Sequence, residues 1–262
     1  MLKFSANLTM MFTDVDFLDR FERAAKAGFK AVEYMFPYEW DKDHLIEKLN
    51  KFNLKQVLFN LPAGNWQAGE IGIACLPGRQ GEFQDGVGLA IEYAKVLKCS
   101  CLNCLVGRSP EGKPKQEVRQ VLIDNLRFAA SALETEGIRL LVESLNNKDI
   151  PGFYLVHSWD ALKLLEEVNH ANLWLQYDVY HMQVMEGDLK RTILGNLDRI
   201  AHIQVADNPG RHEPGTGEIN FINLFRSIDD AGYDGWIGCE YKPAGVTEDG
   251  LGWVRPYLNG GE

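Results

Sequence analysis

The chain has 262 residues, of which 45% are hydrophobic, 11% aromatic and 24% charged, a composition that excludes disorder as its main state. Lys and Arg number 27 against 37 Asp and Glu, and the resulting charge of −10 has the wrong sign for a protein that neutralises a phosphate backbone. No apolar run approaches the ~20 residues of a membrane helix, and Thr13, Asp14 and Asp16 interrupt any export-signal core, so a cytoplasmic protein without nucleic-acid or membrane partners is expected.

In chain order, a short apolar strand at residues 3–8 precedes a helical period over 17–27, and a strand at 31–34 precedes a helix over 44–51. The strand at 54–61 is followed by a connection rich in Gly, Pro and Trp, 62–82, which is too long for a plain β-α joint and reads as a lid. A helix over 83–97, a strand at 101–106, a helix over 118–136 and a strand at 139–143 come next; segment 146–153 resembles a smaller lid. The remainder reads as a helix over 161–168, strands at 173–177 and 200–205, a helix over 221–231 and a strand at 236–241. Eight β-α units of this kind, with no linker or shift in composition, predict an α/β fold made of a single (β/α)8 barrel domain over 1–262.

The five cysteines are an odd number in a chain with no export signal, and read as reduced thiols. Cys99, Cys101 and Cys104 cluster, but no second ligand pair lies nearby and the segment is apolar, so small core thiols are expected rather than a zinc site. Residues 107–114 nearly spell a phosphate-binding loop after a strand, yet Pro114 replaces the hydroxyl residue such a loop needs and Pro110 interrupts it.

In a parallel barrel, reactive groups come from the C-terminal ends of strands. Four consecutive predicted strands end in polar groups: Glu143, Asp178, Gln204 and Glu240. Alternation puts Gln176 with Asp178 on one face of the sixth strand and Leu173, Leu175 and Tyr177 on the other. In the seventh strand, His202 and Gln204 oppose Ala201, Ile203 and Val205. The polar ends therefore converge on the mouth. Three carboxylates in one mouth imply a cation, and four oxygen ligands suit Mg²⁺ or Mn²⁺ better than Zn²⁺. His181, three residues after Asp178 at the start of a predicted loop, can touch a substrate oxygen. Arg211, His212 and Lys242 follow the last two strands and can supply positive charge to an anionic substrate. Glu33, which ends the second strand, can reach the site from the opposite side; Asn7, Arg79 and Arg108 are near the mouth by position.

Several stretches together resemble the hydroxypyruvate isomerase family, within the larger group of xylose-isomerase-like barrels. They are Phe4-Ser5-Ala6-Asn7-Leu8, Phe59-Asn60-Leu61-Pro62-Ala63-Gly64, Leu141-Val142-Glu143, Gln176-Tyr177-Asp178 with His181, Gly210-Arg211-His212-Glu213-Pro214 and Ile237-Gly238-Cys239-Glu240-Tyr241. The resemblance spans nearly the whole chain. It implies Glu143, Asp178, Gln204 and Glu240 as metal ligands, Glu143 and Glu240 as the acid/base pair, and a small hydroxy-oxo acid as substrate. The implied reaction interconverts hydroxypyruvate and tartronate semialdehyde, with 2-oxo-tetronate isomerisation or ketose 3-epimerisation as the nearest alternatives. Gln204 stands where related ketose epimerases carry a histidine ligand, and Asp149 where they often have a second glutamate. A metal-dependent endonuclease of the same barrel group would need a basic face and a His-rich cluster, which six scattered His and the acidic charge do not offer.

Overall fold

A computed structural model describes residues 1–258. Eight parallel strands close into a barrel in sequence order: β1 (Lys3–Asn7), β2 (Ala31–Glu33), β3 (Lys55–Asn60), β4 (Cys101–Cys104), β5 (Arg139–Glu143), β6 (Leu173–Asp178), β7 (Ile200–Val205) and β8 (Trp236–Cys239). The principal outer helices are α1 (Phe17–Lys26), α2 (Lys42–Phe52), α3 (Gln80–Leu97), α4 (Lys115–Glu134), α5 (Ser158–Val168) and, after β7, α8 (Phe221–Asp230). The expected (β/α)8 architecture is therefore present, and each expected strand and helix has its counterpart. Between β6 and β7 run two short helices, α6 (Val179–Met185) and α7 (Leu189–Gly195), and α9 (Arg255–Leu258) closes the described chain. Among the described residues no helix is long and apolar enough to cross a membrane. All five cysteines are free thiols, and four of them are buried.

Local chemistry sets the helix ends. The Asp41 carboxylate accepts from the Asp43 N–H at 2.7 Å and starts α2, while Asn220 Oδ1 accepts from the Asn223 N–H at 3.1 Å and starts α8. The last predicted lid residues, Gln80 to Glu82, are instead the first turn of α3. The lid itself carries a short 3-10 turn, Trp66–Ala68, and a bridge from Gly72 to Val106. Gly72 has φ +97°, and a Cβ there would meet the Leu105 carbonyl oxygen at 1.9 Å, so the lid backbone lies directly on the chain leaving β4.

Most apolar side chains lie between strands and helices, but a second cluster fills the barrel floor: Ala31, Val57, Leu58, Leu141 and Ala201, with Cys101, Trp174 and Trp236 against it. By simple alternation Ala201 belongs with Ile203 and Val205, on the face opposite His202 and Gln204. It packs instead with this floor, because the β6–β7 pairing slips between Leu175 and Gln176 and two-residue alternation fails there. A similar slip between β2 and β3 lets the neighbours Val57 and Leu58 share the same cluster. Polar residues occupy the barrel above the floor. One layer includes Ser5, Glu33, Asn103, Gln176 and His202, all buried.

Gly238 in β8 makes that layer possible. A Cβ at this position would lie 2.3 Å from both carboxylate oxygens of Glu33, which hydrogen bonds from Ser5, Asn7 and Gln204 hold in place. Gly238→Ala is therefore expected to cost about 1–3 kcal/mol by overpacking, which appears as a Tm lower by about 2–4 °C for each kcal/mol. An unchanged Tm would show that the layer relaxes freely.

Candidate active site at the barrel mouth

Glu143 ends β5, Asp178 ends β6, Gln204 lies next to the last residue of β7, and Glu240 follows β8 directly. Parallel pairing sets Glu143 opposite Gln176 and Asp178 opposite Gln204. One atom each from Glu143, Asp178, His181 and Glu240 lies within 4.8 Å of the others, and all four residues are buried.

His181 was expected at the start of a loop. It lies instead in the first turn of α6, because Asp178 Oδ1 accepts from the N–H groups of Tyr180 at 2.7 Å and His181 at 3.3 Å, so the strand turns straight into a helix. The other Asp178 oxygen, Oδ2, faces the cluster with no hydrogen bond. His181 Nδ1 accepts from the backbone N–H of Asn146 at 3.1 Å, which leaves the proton of the neutral ring on Nε2, 3.6 Å from Asp178 Oδ2. Burial pushes the His181 pKa down to about 4 against the pull of Asp178, so the ring is neutral near pH 7.

The two glutamates sit in different surroundings. Glu143 Oε2 accepts from Asn103 Nδ2 at 3.0 Å, and its Oε1 has no partner. Glu240 accepts from Asn7 Nδ2 at 3.3 Å, Gln204 Nε2 at 3.2 Å and Arg211 Nη2 at 2.6 Å. Burial, then the neighbouring charges of Glu240 and Asp178, hold the Glu143 carboxyl well above the usual carboxylate range. Burial also raises Glu240, to about 8, although Arg211 opposes the rise.

Arg211 is the cation the structure brings into the cluster. Its guanidinium also approaches Asp178 Oδ2 at 3.8 Å and lies 5.1 Å from the centre of the Tyr180 ring. The loop that carries it is organised by buried Asp207, whose carboxylate accepts from the N–H groups of Asn208, Gly215 and Ile219. Arg211 itself has φ +57°, a left-handed conformation uncommon outside glycine. His212 and Lys242 brace this loop: the Lys242 N–H donates to the Arg211 carbonyl at 2.8 Å, and His212 Nδ1 donates to the Lys242 carbonyl at 2.7 Å. The Lys242 side chain is exposed.

The mouth closes over a cavity of about 60 Å³, with Trp66 and Ile71 from the lid, Leu105, and Leu145 and Ile150 from the smaller loop opposite the acids. Arg79 pairs with Glu70 and Glu82, and Arg108 donates to the carbonyls of Gly69 and Pro151, so one guanidinium joins both loops. Larger hollows, of 420 and 330 Å³, open at the other end of the strands around Trp174 and Asp198, away from the carboxylates. Several residues that hold the site were not singled out from sequence: Asn103, Tyr180 and Asn146. Only their polarity at predicted strand ends or loops could have marked them.

The donor set fits a hard divalent cation. Three buried carboxylates face a single guanidinium, and Glu143 Oε1 and Asp178 Oδ2 are acceptors without donors. Gln204 turns its Nε2 toward Glu33 and Glu240, while its Oε1 accepts from Gln176 Nε2 at 2.6 Å and keeps a second lone pair. A closed parallel barrel with acids and an amide at the ends of four successive strands defines a barrel enzyme whose chemistry lies at its C-terminal face.

The family model described as a xylose isomerase-like TIM barrel matches residues 21–257. Hydroxypyruvate isomerase of Escherichia coli is 53% identical over 257 residues, covering 98% of this chain and 100% of that protein. A 2-oxo-tetronate isomerase of Pectobacterium atrosepticum is 46% identical over 259 residues and covers 98% of each chain. A crystal structure described as an AP endonuclease, family 2, from Brucella melitensis superposes with a TM-score of 0.96 at 46% identity, covering 98% of this chain and 99% of that one. The chain belongs to the hydroxypyruvate isomerase family of xylose-isomerase-like barrels and is an isomerase of that family.

Proposed function

We propose that this protein, acting as one barrel domain, interconverts hydroxypyruvate and 2-hydroxy-3-oxopropanoate (tartronate semialdehyde). The observation that carries the reading is the convergence of three buried carboxylates beside one buried guanidinium at a small cavity in the barrel mouth. The name of the 53% identical relative supports the same substrate. The four-carbon 2-oxo-tetronate is the second reading, supported by relatives of that name at 46% and 44% identity.

Glu143, Asp178, Gln204 and Glu240 would hold Mg²⁺ or Mn²⁺. When bound, such an ion acidifies the carbon beside a carbonyl and stabilises the negative charge of an enediolate. Of the two glutamates, one takes the proton from C3 of hydroxypyruvate and one returns a proton to C2. Meanwhile the hydroxyl proton passes from the C3 oxygen to the C2 oxygen, so composition is unchanged. Burial raises the proton affinity of both carboxyls, which suits groups that take up a proton and give it back. His181, neutral and holding its proton on Nε2, donates to a substrate oxygen. The apolar wall of Trp66, Ile71 and Ile150 keeps water from the enediolate.

Arg211 meets the substrate carboxylate, with His212 and Lys242 fixing its loop. Arg211→Ala is expected to remove a charge-assisted contact of about 1.5–3 kcal/mol, a roughly 10- to 100-fold rise in KM, with a smaller change in kcat. A kcat loss at constant KM would remove Arg211 from substrate binding.

Proton NMR in D2O tests the whole reading. Protein stripped with chelator and reloaded with Mg²⁺ or Mn²⁺ is expected to convert hydroxypyruvate into tartronate semialdehyde carrying deuterium at C2. Folded, metal-loaded protein that leaves hydroxypyruvate untouched and turns over 2-oxo-tetronate would move the assignment to the four-carbon acid.

A further inference from the structure

The largely buried Arg211 guanidinium is held by hydrogen bonds at one corner alone among the described residues. Its Nη2 donates to Glu240 Oε2 at 2.6 Å, whereas Nε is sealed from solvent with no acceptor. One hydrogen bond fixes a point and leaves the guanidinium plane free to swing about it. The Tyr180 ring restricts that swing: the guanidinium lies over its face, with Cζ 5.1 Å from the ring centre. Tyr180 is in turn tied at its backbone and at its tip. Its N–H donates to Asp178 Oδ1 at 2.7 Å in the first turn of α6, and its phenol donates to Asp149 Oδ2 at 2.8 Å. Asp149 belongs to the smaller loop, where its N–H donates to Asn146 Oδ1 at 2.8 Å and its Oδ2 accepts from Asn146 Nδ2 at 3.0 Å. Tyr180 is buried but is not among the residues that line the cavity.

We propose that Tyr180 is a positioning residue: its ring is the platform that sets the tilt of the Arg211 guanidinium, and Asp149 fixes the angle of that platform through the phenol. A guanidinium is a planar fork, and it pairs well with a carboxylate only when its plane is set. Glu240 holds the fork at one corner, and the ring face supports it at a second place without taking up any of its N–H donors. An aliphatic side chain at position 180 would fill space but exert no such pull on the charge. Because Tyr180 stands outside the cavity, its influence on substrate passes through Arg211. The inference rests on the reading of Arg211 as the group that meets the substrate carboxylate.

Steady-state kinetics of the full chain, loaded with metal, test this in a double-mutant cycle. Tyr180→Leu is expected to raise KM for hydroxypyruvate by about 3- to 30-fold, the range of a partly desolvated cation on an aromatic face, with a smaller change in kcat. Tyr180→Phe keeps the ring and loses only its anchor, so its KM should rise less than that of Tyr180→Leu. In an Arg211→Ala background Tyr180→Leu should raise KM hardly further, because the group it positions is gone. An equal rise in both backgrounds, a wild-type KM in folded Tyr180→Leu protein, or a Tyr180→Phe loss as large as that of Tyr180→Leu would overturn the proposal. If thermal melts show Tyr180→Leu unfolded, Tyr180→Met fills the space with a longer, adaptable side chain that has no ring, and the same outcomes decide. Wild-type protein that ignores hydroxypyruvate but isomerises 2-oxo-tetronate retires the substrate assignment alone, and the cycle is then read with that acid, whose carboxylate makes the same demand. An unchanged KM in Arg211→Ala, or wild-type protein that turns over neither acid, overturns both readings.

Discussion

Glu143→Gln and Glu240→Gln are each expected to lower kcat by about 10²- to 10⁴-fold at saturating metal, the usual contribution of a positioned acid or base. Glutamine keeps the shape and can still accept from Asn103 at position 143 or from Arg211 at position 240, so the barrel should stay folded. Neither amide can carry a proton between C3 and C2. Melting should separate this loss from unfolding in an informative direction. Glu143→Gln replaces a carboxyl that burial already holds toward its neutral form, so this metal-free variant should melt no lower than metal-free wild type. Steady-state kinetics showing near wild-type kcat in both variants would end the acid/base assignment.

Metal removal has the second large expected effect. Chelator treatment should abolish isomerisation, and Mg²⁺ or Mn²⁺ should restore it. The same cycle should appear in stability. A ligand that binds only the folded state at 100 times its Kd adds about 2.7 kcal/mol. Thermal melts with and without added ion measure the gain. Full activity in protein that elemental analysis finds free of metal would sink the proposal.

Much of this site was legible because a parallel barrel converts one-dimensional position into three-dimensional convergence. Glu143, Asp178, Gln204 and Glu240 could be gathered from sequence because each closes a strand, and closed parallel strands end at one face. Helix starts were less legible. The first turns of α3 and α4, around Glu82 and Glu117, are polar and exposed, so they carry no apolar period to betray them. Helix α6 was hidden because Asp178 both ends a strand and caps the following helix, and a single residue carries no spacing signal for two tasks. Ala201 escaped because a register slip is a property of a strand pair, invisible in either strand alone. The partners of Glu33 were out of reach for a similar reason: nothing local ties residue 33 to residues 202, 204 and 238, which barrel closure brings beside it.

The fit between Glu33 and Gly238 constrains how a lineage carrying this barrel can change. A side chain can enter at position 238 only after residue 33 has shortened, yet shortening residue 33 strands Ser5, Asn7, His202 and Gln204 without their shared acceptor. Neither first step is neutral, so the two positions form an epistatic lock across the barrel. Descendants can explore new chemistry at the loops while this pair stays frozen.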